Sequence, residues 1–387
     1  MKRILMILAI CPFMVAMAVA NDFYIAKDGK AATILLDDND WKGVIRAAYD
    51  LGDDVRKVTG TAAQITFNKN ADKGNIIIGT IGKSRLVGQL IKQKKINVGK
   101  VKNQWESYLI DTVDGNLVIA GSDKRGTIYG IYTLSEQMGV SPWYWMADAP
   151  VRHRNEICYS AGRIVQPSPK VKYRGIFIND EWPSFGTWCK NHFGGVNSKA
   201  YAHIFELLLR LKANYFWPAM WATDFNEDDP ECPRLADEYG IVMGTSHHEP
   251  MMRSHQEYLR RKGAVGPWDY SVNKDRIDKF FREGMERNKA YDNLVTIGMR
   301  GDGDVAMGKG DDADNMKTLK KVIEGQRKIV KDIYGREDAV PQLWAIFTEV
   351  QRYYDAGFKV PDDVTLLFCD NNWGYIGRIG RDFERKR

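Results

Sequence analysis

Apolar positions in the first part of the chain fall in short runs set off by turn residues. Asn75-Ile76-Ile77-Ile78-Gly79 reads as a short buried strand. Glu106 to Asp111 and Asn116 to Ala120 are two more, joined by a turn at Asp114-Gly115. Gly121-Ser122-Asp123 then opens a helix, with Ser122 or Asp123 as its cap and Tyr129, Tyr132 and Leu134 inside. These signals predict a small α/β domain over residues 21–165. The stretch from Gly162 to Val171 holds Gln166-Pro167-Ser168-Pro169 and predicts a linker.

From Tyr173 onward the pattern becomes strand, loop, helix, repeated. Strands are predicted at Tyr173 to Ile178, Ala213 to Trp217, Gly240 to Thr245, Leu294 to Met299, Gln342 to Phe347 and Val364 to Phe368. Between them Ser198 to Lys212 carries Tyr201, Ile204, Phe205, Leu208 and Leu211 at helical spacing. Lys274 to Arg287 and Met316 to Ile333 do the same with Ile277, Phe280, Phe281 and Met285, and with Leu319, Ile323 and Val330. Alternating βα units predict a parallel sheet with right-handed crossovers. The fold class is therefore α/β: a small N-terminal domain, then a (β/α)8-type barrel over 172–387 that stops after about six strands. A closed barrel of this type needs eight. An unclosed barrel leaves strand edges and apolar faces bare, so the chain as written is expected to be a poorly soluble, inactive fragment of a longer product.

Composition narrows the function classes. The net charge of +6 is spread along the chain and gives no nucleic-acid footprint. Residues 1–20 read as a signal peptide: Lys2 and Arg3, an apolar run from Ile4 to Met17, and Ala18-Val19-Ala20 before Asn21. This predicts export to the periplasm or medium, and no other segment is long and apolar enough to span a membrane. Cys158, Cys189, Cys232 and Cys369 have wide, irregular spacing and make no zinc motif, although one disulfide is compatible with export. Eleven Trp and eighteen Tyr gain meaning from where they sit.

In such barrels the chemistry lies at the C-terminal ends of the strands. Here the strand ends read Asn179-Asp180-Glu181-Trp182, Trp217-Pro218-Ala219-Met220-Trp221, Ser246-His247-His248-Glu249, Arg300-Gly301-Asp302-Gly303-Asp304, Thr348-Glu349 and Asp370-Asn371-Asn372-Trp373. Carboxylates, a cation and indole rings on one rim suit a sugar site, because glycosidic cleavage needs two carboxyl groups. An Arg on that rim is able to fork a substrate carboxylate. Plainer readings stand beside this one. Asp180-Glu181 also fits a helix N-terminus, and Trp217 and Trp221 also fit a core. His247-His248-Glu249 is no metalloprotease helix, since Pro250 follows. Asp302-Gly303-Asp304 fails as a calcium loop at Ala306. No metal and no cofactor are expected.

Ordered blocks carry a family resemblance. Tyr173-Arg-Gly-Ile-Phe-Ile-Asn-Asp180-Glu-Trp-Pro183, Asn191-His192-Phe193-Gly194-Gly195 and Leu211-Lys-Ala-Asn-Tyr-Phe-Trp217-Pro-Ala-Met-Trp221 resemble glycoside hydrolase family 115. So do Ala236 to Pro250, Gly298-Met-Arg300-Gly-Asp302-Gly-Asp304, Glu349-Val-Gln351 and Asp370-Asn-Asn-Trp373-Gly374. Gly121 to Gly130 resembles the small domain that several polysaccharide hydrolases carry ahead of a barrel. The resemblance implies an inverting, cofactor-free α-glucuronidase that removes (4-O-methyl)-glucuronic acid from its α-1,2 link to glucuronoxylan. It implies Glu349 as general acid, Asp304 as general base and Asp180 in support. Arg300 would face the uronate or orient a catalytic carboxylate, and His247, Glu249, Trp221, Trp217 and Asn179 would line the sugar pocket. A homodimer is the expected assembly of the full-length protein. Family members are much longer than this chain. A hexosaminidase-type hydrolase and a non-catalytic polysaccharide-binding remnant are the alternatives.

Overall fold

The computed structural model describes residues 22–370, apart from Met220 and Lys309, together with Gly374. The expected signal peptide and Asn371-Asn372-Trp373 lie outside the described residues.

The chain opens with β1 (Phe23–Lys27) and β2 (Lys30–Ala31), which join β8 (Ile157–Tyr159) in a small antiparallel sheet. The main sheet of the first domain is built from β3 (Thr33–Leu36), β4 (Ile65–Phe67), β5 (Asn75–Thr80), β6 (Tyr108–Val113), β7 (Asn116–Gly121) and β9 (Ile164–Gln166). Its order is β4-β3-β5-β7-β6-β9, with β4, β3, β5 and β7 parallel. Helices α1 (Lys42–Thr59) and α3 (Lys124–Met138) cover one face and α2 (Arg85–Lys92) the other. This explains the unbroken Ile-Ile-Ile run. Successive side chains alternate faces, so Ile76 and Ile78 pack under α1 and α3 while Ile77 packs with Leu86 and Val87 of α2. Asp123 caps α3 by accepting from Gly126 N–H. The expected linker begins later than the turn residues suggest. Ile164–Gln166 pairs antiparallel with β6, and the strand stops before Pro167, which has no N–H to offer a ladder.

The second part alternates as expected. It runs β10 (Gly175–Asn179), α4 (Phe185–Phe193), α5 (Ser198–Arg210), β11 (Tyr215–Ala219), α6 (Glu231–Tyr239), β12 (Val242–Met243), α7 (His255–Val265) and α8 (Tyr270–Arg287). It continues with β13 (Val295–Thr296), α9 (Asp312–Tyr334), β14 (Gln342–Ile346), α10 (Glu349–Asp355) and β15 (Thr365–Phe368). Two parallel three-stranded sheets, β10-β11-β12 and β13-β14-β15, are linked by a single parallel bridge between Met243 and Asn293. Among the described residues β10 pairs with β11 alone and β15 with β14 alone, so the barrel is not closed. Strand β13 is shorter than its apolar run. Gly298 adopts φ +96°, and its N–H and C=O bond the Gln326 amide at 2.7 and 2.8 Å instead of a neighbouring strand.

The two parts share one continuous core. Helix α1 lies so close to α6 that a Cβ on Gly43 would sit 2.1 Å from the Glu238 carbonyl oxygen. Arg210 forks onto the fully buried Asp54 at 2.8 and 3.2 Å. Buried Glu106 meets Arg125, Arg174 and Asn214 across the seam. The four cysteines within the described residues are free thiols.

Candidate active site

Three consecutive strand ends converge on one guanidinium. Arg300, just past β13, is buried and donates from Nε and Nη2 to the two oxygens of Glu349, at 3.0 and 2.7 Å. Its Nη1 donates to the Asp304 carbonyl oxygen at 2.7 Å and also to the Asp304 carboxylate. Trp268 Nε1 holds the Arg300 carbonyl at 2.9 Å. Glu349 is the first residue of α10, directly after β14, and the Thr348 hydroxyl donates to its Oε2 at 2.5 Å. From the end of β12, His247 Nε2 reaches Asp304 at 3.0–3.1 Å. Ser246 Oγ lies 3.3 Å from His247 Nδ1 and 2.8 Å from His248 Nδ1. One hydroxyl proton cannot serve both rings, so one imidazole must donate to the serine oxygen.

Backbone strain gathers at the same place. Thr348 sits at φ 47°, ψ −120° and Asp304 at φ 61°. A β-branched residue at positive φ is disfavoured, at a cost of about 1–3 kcal/mol. Both carboxylates are held in their charged form. Burial opposes the charge on Glu349, but the Arg300 fork and the Thr348 hydroxyl bring its carboxyl below the ordinary range. Burial likewise opposes the charge on Asp304, and the hydrogen bond from His247 and the Arg300 guanidinium overcome it. His248 is different. Burial, helped by the nearby Arg300 guanidinium, pushes its ring down to about 3, so it is neutral, and its Nε2 has no hydrogen-bond partner among the described residues.

The remaining expected residues divide in two groups. Asp180 is buried and does not join the fork. Its two oxygens accept from Trp221, Ala222 and Thr223 N–H and from the Thr223 hydroxyl, at 2.7–3.3 Å. It shapes the loop after β11. That loop carries Trp221, whose ring stacks on His248 at 4.6 Å. Glu249 is buried too, and accepts from His255 N–H at 2.8 Å, which ties the β12 loop to the start of α7. Ser246 N–H also donates to the Glu249 carboxylate, at 3.4 Å. Asn179 Oδ1, at the end of β10, and Trp217 Nε1, within β11, are buried with no hydrogen-bond partner among the described residues, and Trp217 packs on Phe177 at 5.4 Å. Thr348 and Ser246 were visible in the sequence only as members of strand-end segments. Trp268 had no signal beyond an aromatic in a Gly-Pro loop.

Two clusters offer donors for a metal. His247, His248 and Asp304 place one atom each within 4.8 Å of one another. Arg300 already bonds Asp304 there, and a second cation beside it would be repelled. Asp224, Glu227 and Glu257 form the other cluster, and Arg253, Arg261 and Arg287 supply its positive charge.

Comparison with known proteins gives a consistent placement. Residues 166–387 match glycosyl hydrolase family 115, and residues 27–134 match the glycosyl hydrolase family 67 N-terminus. Among curated proteins, none matches the chain. Among solved structures the chain is similar to BtGH115A, a family 115 4-O-methyl-α-glucuronidase with specificity for decorated arabinogalactans. The identity is 35% and the TM-score 0.82, over 92% of this chain and 47% of that one, so the chain spans about half of that structure's length. It is also similar to a β-N-acetylhexosaminidase from Streptomyces coelicolor, at 12% identity and TM-score 0.53, covering 89% of this chain and 66% of that one. A β-hexosaminidase from Streptomyces plicatus matches at 14% identity and TM-score 0.51, covering 84% of this chain and 65% of that one. At those identities the likeness shows a shared fold alone and lends no support to hexosaminidase activity. With a family match over more than half its length, joined to the rim built on Arg300, the chain belongs to glycoside hydrolase family 115.

Proposed function

We propose that this protein hydrolyses α-1,2-linked (4-O-methyl)-glucuronic acid from glucuronoxylan by an inverting, two-carboxylate mechanism. The observation that carries the reading is the fork: one buried guanidinium joins Asp304 and Glu349 across two strand ends. A guanidinium standing between two carboxylates keeps them apart by its own width, which supports the wider spacing that inversion needs to admit a water. Glu349 is the general acid and Asp304 the general base, held by His247. Asp180 supports by fixing the loop that carries Trp221. Asn179, Trp217 and Trp221 form the sugar-facing wall.

One observation favours a second backbone. The neighbour at 35% identity is described as specific for decorated arabinogalactans. A side-by-side assay on glucuronoxylan and arabinogalactan therefore tests the polymer. Proton NMR of the first-formed glucuronic acid tests the stereochemistry: inversion of the α-link gives the β-anomer first. Asp304→Asn and Glu349→Gln should each lose about 10²–10⁴-fold in rate. Initial release of the α-anomer would refute inversion, and no uronic acid from either polymer would refute the α-glucuronidase reading. We further propose that the protein is exported, on the charged-then-apolar start of the chain; a mature N-terminus at Asn21, read by mass spectrometry, is the expected result. Among the described residues, no helix is long and apolar enough to cross a membrane.

A further inference from the structure

Arg300 is oversubscribed. A guanidinium has five N–H donors. Nε and one Nη2 hydrogen serve Glu349, and both Nη1 hydrogens serve Asp304, one through the backbone carbonyl. A single Nη2 hydrogen is left, and the side chain is 7% exposed. A uronate therefore cannot take a forked bond from Arg300 while this arrangement persists. The two halves of the fork are unequal. The Asp304 half is anchored on backbone and backed by His247. The Glu349 half joins side chain to side chain, and Glu349 keeps a second donor in the Thr348 hydroxyl if the fork leaves. The Glu349 half is the one that can exchange.

We propose that the substrate's own carboxylate takes the Nε/Nη2 edge of Arg300 away from Glu349, and that the released Glu349 then takes up a solvent proton and becomes the general acid. This rests on the glucuronidase reading above. The acidic sugar thus arms the residue that cleaves its link, and a neutral sugar does not. The free protein keeps Glu349 charged, as its depressed proton affinity requires. Loss of the fork leaves a buried carboxyl beside a new anion, and both features favour its protonated form. The groups facing Glu349 do not counter this. Asp304 lies across the guanidinium, His247 packs on Phe347 at 4.6 Å, and Arg352 on the same helix is paired to Asp312 at 2.9 Å. Tyr353, on the same helix, feels the Glu349 charge as a neutral phenol.

The protons balance over the cycle. Glu349 gives its proton to the leaving glycosidic oxygen as the bond from C1 to that oxygen breaks. Water bonds to C1 and gives a proton to Asp304, which returns it to solvent. Departure of the free uronate restores the fork on a charged Glu349.

The test is a titration of the full chain, labelled with 13C at the glutamate side-chain carboxyl. Glu349→Gln identifies the resonance by its disappearance. Saturating glucuronic acid should raise the Glu349 midpoint by about 1–3 pH units, the range a lost contact charge commands, and glucose should leave it unmoved. In Arg300→Gln, which has neither fork nor charge, the midpoint should stand high without sugar and stop responding. If glucuronic acid shifts other resonances while the Glu349 midpoint stays put, the exchange is refuted and the glucuronidase reading stands. If glucuronic acid moves no resonance at any concentration, both are refuted.

Discussion

Glu106→Ala should destabilise the seam between the two parts of the chain. Glu106 is 1% exposed. Its carboxylate lies 2.7 Å from Arg125 Nε, 2.5 Å from Arg174 Nη2 and 2.7 Å from Asn214 Nδ2. Arg125 belongs to α3, whereas Arg174 and Asn214 precede β10 and β11, so a single anion bridges both parts. Removing one partner of a buried pair costs about 3–5 kcal/mol because the other charge is left without compensation. Arg125 keeps Asp292 at 3.2 Å and Arg174 keeps the Lys212 carbonyl at 2.9 Å, which places the expected loss near the lower end. Unfolding entropy of about 2.1 cal/mol/K per residue gives roughly 0.8 kcal/mol/K for the whole chain. A loss of about 3 kcal/mol then lowers the melting temperature by about 4 °C. Scanning calorimetry is the assay. The parent should melt in one transition, since the core is continuous, and the variant should melt earlier and begin to split. Glu136→Ala is the control: it removes an exposed carboxylate 4.0 Å from Lys212 and should shift nothing measurable. A Glu106→Ala protein melting within about 1 °C of the parent, in one transition, would refute the account of the seam.

Three further outcomes can be checked. Burial, with Glu257 beside it, pushes the Asp224 carboxyl up to about 6, and its Oδ2 has no hydrogen-bond partner among the described residues. The folded state therefore binds this proton more tightly than the unfolded chain, and the penalty is absent below the unfolded value and complete above about 6. Asp224→Asn should stabilise by up to about 3 kcal/mol at pH 7.5 and by little near pH 4, and equal melting shifts at both would exclude ionisation as the cause. Gly43→Ala should destabilise by about 1–3 kcal/mol, because its Cβ would strike the Glu238 carbonyl oxygen, whereas Gly88→Ala in α2 meets open space and should stabilise by about 0.5–1 kcal/mol; urea midpoints moving the same way would refute the close approach. Asp180→Ala should make the loop over Trp221 to Thr223 exchange its amide hydrogens faster while the Arg300 fork stays intact, and unchanged protection at those amides would show that Asp180 does not hold the loop.

The main architecture was legible because periodicity survives burial. Three consecutive isoleucines read as a strand, and the structure shows them alternating between its two faces, Ile76 and Ile78 on one and Ile77 on the other. The long helices α5, α8 and α9 stood out by their apolar spacing. The helices α4, α6, α7 and α10 were missed because they run 7–11 residues, too few turns to establish a period. The 18-residue α1 was missed as well, although Val44, Ala47, Ala48, Leu51, Val55 and Val58 line its buried face. Strand β13 was overextended, because the turn at Gly298 is imposed by a distant Gln326 amide that no local pattern announces. At the site, residue types at the strand ends were legible, and their partners were not. Asp180 and Arg300 look alike in sequence as polar residues after a strand. Only the fold shows that one is consumed by loop amides and the other by two carboxylates.

That difference bears on where function resides. The seam is rich in charge, yet Asp54 and Glu106 are matched by Arg210, Arg125 and Arg174 on ordinary helices and strand approaches. Such matched networks fit parts together and ask nothing of a ligand. The ends of β12, β13 and β14 break local rules instead. Thr348 and Asp304 take left-handed backbone, His248 is a buried neutral ring with a bare Nε2, and Arg300 is committed on almost every donor. A fold tolerates such strain only where neighbours hold it in place, and Trp268, Thr348 and Ser246 supply those holds. Unmet acceptors and overcommitted donors are complementary needs. On the proposed glucuronidase reading, a sugar acid would bring a hydroxyl to His248 Nε2 and a carboxylate to exchange onto Arg300, so this rim, and not the more heavily charged seam, is the place to expect the chemistry.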